Sequence, residues 1–182
     1  MNELYSGQPL TLALTLLACF AISTCEAPGD TGFEQKYHYG FRQNAQLEAD
    51  TTSEPFSEDS TLKLLHISIE PGSKVVFRYS FESIAPANVA DGYYSETVYF
   101  QHSNAGNSFR LEGEELSQAS AFYTRSCFCP RIGALEITEG FIEGEKLSEN
   151  LWFITADVTA VHNGQANTVC IRHAFYEGIK EK

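Results

Sequence analysis

Positive charge is scarce in this chain. It carries 12 lysines and arginines against 24 aspartates and glutamates, a formal net charge of −12 over 182 residues. A surface of that sign is repelled by phosphate backbones, and no basic cluster offsets the repulsion, so nucleic acid is a poor candidate partner. Apolar runs long enough to cross a membrane are missing too. Leu10–Ile22, interrupted by Thr11 and Thr15, is too short to span a hydrocarbon core of roughly 30 Å as a helix. The chain has no Gly-x-Ser-x-Gly elbow, no phosphate-cradling glycine loop, no calcium-loop spacing and no Cys-x-x-Cys-His haem signature. The histidines, His38, His66, His102, His162 and His173, are scattered without His-x-His or His-x-x-x-His spacing. With no catalytic constellation in view, the expectation is a protein that is not an enzyme and that needs no cofactor.

What the N-terminus does contain is an export signal. A dozen or so apolar residues suit the h-region of such a signal, and the chain turns abruptly polar at Glu26-Ala27-Pro28-Gly29-Asp30. The intervening Ile22-Ser23-Thr24-Cys25 resembles the lipobox of bacterial envelope lipoproteins. That resemblance implies that Cys25 is the lipidated first residue of the mature chain, anchored to membrane lipid by several acyl chains. It also implies a place in the bacterial cell envelope, at the outer membrane or in the periplasm. Lipidation at Cys19, within Leu17-Ala18-Cys19, and simple cleavage with secretion are the alternatives. The resemblance covers residues 1–25 and implies nothing about the domain behind them. Removing that segment leaves 23 acids against 12 bases, a net charge of −11.

The remaining 157 residues suit one domain. Residues 26–60 read as a tether and a polar segment, with an edge strand expected near 37–43 and a surface loop from Gln43 to Ser60. From residue 61 onward the apolar pattern has period two. Leu65, Ile67 and Ile69 share one parity and lead to the turn signal Pro71-Gly72; Val75, Phe77, Tyr79 and Phe81 then share a face, which predicts a hairpin. Tyr94, Glu96, Val98 and Phe100 share another face, and Gly113–Ala119 has room for a helical turn or two. Asn163-Gly164 lies between two alternating runs and is a strong two-residue hairpin signal. Pairing across it sums residue numbers to 327, placing Trp152 opposite Phe175, Ile154 opposite His173 and Val158 opposite Val169. Eight or nine short strands with at most one short helix predict an all-β fold, an antiparallel β-sandwich over residues 61–178, with a lipocalin-like β-barrel as the alternative.

Three cysteines follow the signal: Cys127, Cys129 and Cys170. In an exported chain they are expected to form a disulfide between Cys170 and either Cys127 or Cys129, leaving one cysteine over. A metal or redox site built from these three and His173 is the rival. Residues 170 and 173 point to opposite faces of one strand, which counts against it. The aromatic residues Tyr93 and Tyr94, beside a long loop, and Trp152 are candidates for a ligand-binding rim, for a carbohydrate or protein ligand. A binding or structural module is therefore the expected role, with a redox or metal-handling protein and a barrel carrier of a small apolar ligand as alternatives.

Overall fold

A computed structural model describes residues 32–57, 60–86, 92–103, 106–128 and 132–179. The export signal, Cys19, Cys25 and Cys129 lie outside these residues. The described chain is nearly all β: β1 (Glu34–Ser57), β2 (Ser60–Pro71), β3 (Lys74–Ile84), β4 (Tyr93–Ser103), β5 (Ser108–Glu112), α1 (Glu114–Gln118), β6 (Phe122–Cys127), β7 (Leu135–Glu136), β8 (Glu139–Ser148), β9 (Leu151–His162) and β10 (Gln165–Glu177).

The hairpin at Asn163-Gly164 follows the sequence register without a slip. Trp152 pairs with Phe175, Ile154 with His173 and Val158 with Val169, and the ladder ends at His162 and Gln165. Both turn residues have positive φ, 50° and 76°, which a two-residue turn of matching twist requires. Trp152, Ile154, Ala156, Val158 and Ala160 are buried in alternation, so the strand has one inward face and one outward face. β8 adds to this meander along β9. Gly140 is required there: its φ is 99°, and a Cβ would run into the Asp157 carbonyl of β9. The predicted helical turn is α1, whose Leu116 is fully buried.

The strand partners differ from expectation at the N-terminal end. Residues 43–57 belong to a strand rather than a loop. β1 runs for 24 residues and is shared by two partners. Its first half pairs antiparallel with β3, from Glu34 opposite Ile84 to Arg42 opposite Val76. Its second half pairs with β2, from Ala45 opposite Pro71 onward. The switch falls at a bulge where Asn44 has a φ of 52° and its carbonyl accepts the Gly72 N–H at 3.0 Å. A Cβ on Gly72 would sit 2.7 Å from Gln46, so only glycine lets this corner lie against β1. Pro71-Gly72 is thus a corner between strands that go to different halves of β1, and β2 and β3 do not form the expected hairpin. Alternation identifies a strand but not its neighbour. The acidic, hydroxyl-rich composition of 48–54 concealed the strand because ladder hydrogen bonds to β2, more than burial, hold it. The residues expected at an edge, 37–43, lie inside the sheet, between β3 and a short parallel contact with β10 at Gly40 and Phe41.

All ten strands form one mixed sheet in the order β5-β8-β9-β10-β1-β3-β4-β6-β7, with β2 attached to β1. The ladders therefore do not divide into the two separate sheets of the expected sandwich. The sheet curls instead. Phe77 of β3 packs edge-on to Trp152 of β9 at 5.5 Å and to Phe175 of β10 at 6.2 Å, and Phe100 of β4 meets Phe109 of β5 at 6.2 Å. Strands far apart in the order thus meet across the concave side. Each fully buried aromatic contributes about 1.5–3 kcal/mol, and this stack is the main core. A second, smaller core lies on the convex side: Leu47, Leu65, Ile67 and Ile69 of the β1–β2 arm pack with Val76, Tyr99 and Phe122. Gln101 ties the arm down. Buried at 4% exposure, it accepts the Leu47 N–H at 2.8 Å and donates to Ser120 Oγ at 2.9 Å.

Candidate functional site

The concave face changes chemistry along the strands. Across neighbouring strands the deepest row is Phe41, Phe77 and Phe100; the next is Tyr39, Tyr79, Val98 and Tyr123; the outermost is Tyr37, Phe81, Glu96 and Arg125. Two-residue alternation on β1, β3, β4 and β6 produces these rows, since residues i and i+2 share a face. The mouth of the curl is thus walled by tyrosines and carries a carboxylate and a guanidinium at its outer end.

Glu96 is the centre of this mouth. Its Oε2 accepts the Tyr94 hydroxyl at 2.9 Å and the Tyr123 hydroxyl at 3.4 Å, and the two hydroxyls lie 3.4 Å apart. Burial raises the Glu96 carboxyl above its ordinary value, while the two phenols act to lower it again. The same burial, with the Glu96 charge nearby, raises Tyr37, Tyr79, Tyr94 and Tyr123. These rings therefore stay neutral beside the carboxylate.

Arg125 stands opposite Glu96 in register, yet its terminal nitrogen reaches Asn167 Oδ1 on β10 at 3.3 Å. Its Nε is buried with no hydrogen-bond partner. Among the described residues, neither Glu96 nor Arg125 forms an ion pair. On the other side of the mouth, His173 stacks on Tyr39 at 3.9 Å with an interplanar angle of 8°, and Tyr37 stacks on Tyr39 at 5°. Tyr37 also packs on Phe81 at 5.0 Å and Phe81 on Tyr94 at 6.2 Å. Tyr37 is 38% exposed and Tyr39, Phe81 and Tyr94 are half-buried, so the rings face solvent at the mouth.

Of the three residues singled out for a rim, the structure places one here. Tyr94 holds Glu96. Tyr93 alternates to the other side of β4 and is exposed. Trp152 is 3% exposed, between Phe77 and Phe109 in the main core, so it forms no part of a rim. Its place in the inward row of the C-terminal hairpin already required this. Tyr37, Tyr39, Phe81, Glu96 and Arg125 were not singled out from the sequence. Glu96 carried a signal: it is the one acid on a face of its strand shared with Tyr94, Val98 and Phe100. His173 faces inward as the register requires but remains exposed at the mouth. Cys170 faces outward, and Cys127 ends β6 opposite Tyr94.

Two other concavities are less suited to a ligand. A groove of about 800 Å³ over β5 and β8 is lined by Arg110, Glu143 and Lys146, and Arg110 is already held by Glu143 at 2.7 Å and Glu112 at 3.0 Å. A second, of about 670 Å³, runs between β2 and the edge of β6, lined by Leu65, His66, Tyr99 and Ser126. Among the described residues, no three histidines, cysteines or acids gather as metal ligands, and no helix is long and apolar enough to cross a membrane. No protein-family model, no curated protein and no solved structure matches the chain.

Proposed function

We propose that the chain is an exported binding module of the bacterial cell envelope, anchored by lipid at Cys25 and binding its ligand at the tyrosine-walled mouth around Glu96. One observation carries the binding role. A half-buried carboxylate is held in an aromatic wall by the hydroxyls of Tyr94 and Tyr123. Polar groups placed at some cost in a concave aromatic surface are what ligand recognition requires. The curl of the sheet is nearer to an open barrel than to a sandwich, and it supplies the concavity.

Export and anchoring rest on the Leu10–Ile22 run and on Ile22-Ser23-Thr24-Cys25. An oxidising compartment would let the cysteines of the mature domain pair. The proposed bridge joins Cys170 to Cys127 or Cys129. Closing a loop of about 40 residues would stabilise the fold by about 3–4 kcal/mol in the chain-entropy account.

The binding role is tested by a small-molecule library screened against tyrosine-labelled protein by NMR. Saturable shifts confined to Tyr37, Tyr39, Tyr94 and Tyr123 are expected. Ligands that shift only residues outside the mouth would refute the assignment. Anchoring is tested by detergent partitioning: the full chain should enter the detergent phase and Cys25→Ser should not. Equal partitioning of the two would remove the anchor.

A further inference from the structure

Resting on that reading of the mouth as a binding site, we propose that its ligand is a small organic cation with a substituted ammonium head group. Most polar groups at the mouth are already engaged. The Tyr94 and Tyr123 hydroxyls are spent on Glu96, and a terminal nitrogen of Arg125 is spent on Asn167. What remains partly exposed beside the carboxylate is a set of rings, those of Tyr37, Phe81 and Tyr94, while Tyr39 is covered by the stacked His173. Each ring carries negative charge density on its face, and a cation over such a face is held electrostatically.

The carboxylate adds a full negative charge in the same place. Among the described residues no lysine or arginine forms an ion pair with it, and the neighbouring Arg125 is hydrogen-bonded to Asn167 of β10 instead. The net charge of −11 left after the signal is removed further favours the approach of a cation. A metal ion would need several oxygen or nitrogen ligands, and among the described residues no group of three acids, histidines or cysteines gathers there. A sugar would need unspent donors and acceptors, and these are few. An alkylated ammonium needs only ring faces and one anion, which is what the mouth offers.

The probes are choline chloride and 3,3-dimethyl-1-butanol, a neutral carbon analogue of similar shape, titrated at matched ionic strength and followed by tyrosine ring shifts. Choline should saturate and bind at least about tenfold tighter than the alcohol, as desolvated cation–π contacts with a nearby anion require. Glu96→Gln keeps an oxygen that accepts the tyrosine hydroxyls and should weaken choline by about tenfold while leaving the alcohol unchanged. Tyr37→Leu, which removes an exposed ring but keeps an apolar side chain, should weaken choline more than the alcohol. Equal binding of choline and the alcohol would overturn the cation assignment and leave the mouth standing as a binding site. Unchanged choline binding in Glu96→Gln would also overturn it. If choline fails to saturate while a library compound shifts the mouth tyrosines, the cation proposal alone falls; if no compound shifts them, the binding role falls with it.

Discussion

Replacing Gln101 by leucine should destabilise the protein far more than an ordinary polar-to-apolar change in a core. The Gln101 side chain is buried, accepts the backbone N–H of Leu47 at 2.8 Å and donates to Ser120 Oγ at 2.9 Å. Leucine has similar size but neither group. The Leu47 amide would be orphaned beneath the β1–β2 arm, a cost of about 1–3 kcal/mol, and the Ser120 bond would forfeit about 1 kcal/mol more. Against this, the added apolar surface returns about 1 kcal/mol or less. The balance is a loss of about 1–3 kcal/mol. With a urea slope near 2 kcal/mol/M, the midpoint should fall by about 0.5–1.5 M at unchanged slope. Ser120→Ala should cost only the smaller share. A Gln101→Leu midpoint within about 0.2 M of the parent would mean that the arm is not held to β4 through this side chain.

Acidity should reveal the cost of the mouth. The folded-state pKa of Glu96 is raised by burial, so the folded protein holds that proton more tightly than the unfolded chain, and stability from this group is lost as pH rises through the folded value. Glu96→Gln should therefore be at least as stable as the parent at pH 7, with the difference shrinking on acidification below the ordinary carboxyl value of 4.5; a Gln variant less stable at pH 7 than at pH 4, relative to the parent, would contradict this. His102, stacked on Phe109 at 4.5 Å, is lowered by burial, so it stabilises above its ordinary value of 6.5 and that stability is lost as pH falls. His102→Phe should flatten the decline of the thermal midpoint between neutral and mildly acid pH. Two glycines of equal chemistry should differ in consequence. Gly164 has open space at its Cβ position, so Gly164→Ala should cost only the positive-φ strain of about 1 kcal/mol. Gly140→Ala adds a collision with the Asp157 carbonyl and should cost about 3 kcal/mol or more. Equal losses in urea denaturation would refute the β8–β9 geometry.

The sequence disclosed local periodicity more readily than long-range partnership. The β9–β10 register could be read residue by residue because a one-residue slip would expose Trp152, Ile154 and Val158 together. The first half of the chain lacked such a penalty. From Glu48 to Ser53 β1 is exposed on both faces, so composition resembled a loop, and nothing local indicated that β3 would pair with β1 instead of β2. The candidate site was hidden for a related reason. Tyr37, Phe81, Glu96 and Arg125 come from four strands whose adjacency depends on that same pairing. Alternating tyrosines alone are equally consistent with a filled β core. Trp152 pointed the wrong way as a rim candidate because its own register had already assigned it inward.

β1 is shared between two partners, and that sharing curls the sheet and assembles the mouth. Cross-strand Hα and amide NOEs test it directly. Contacts between Tyr39 and Tyr79 and between Leu47 and Ile69 should both be present, together with ring contacts between Tyr39 and His173 at their 3.9 Å stack. A continuous ladder running from Ile69 to Val75 across Pro71-Gly72, with Tyr39 remote from His173, would contradict it.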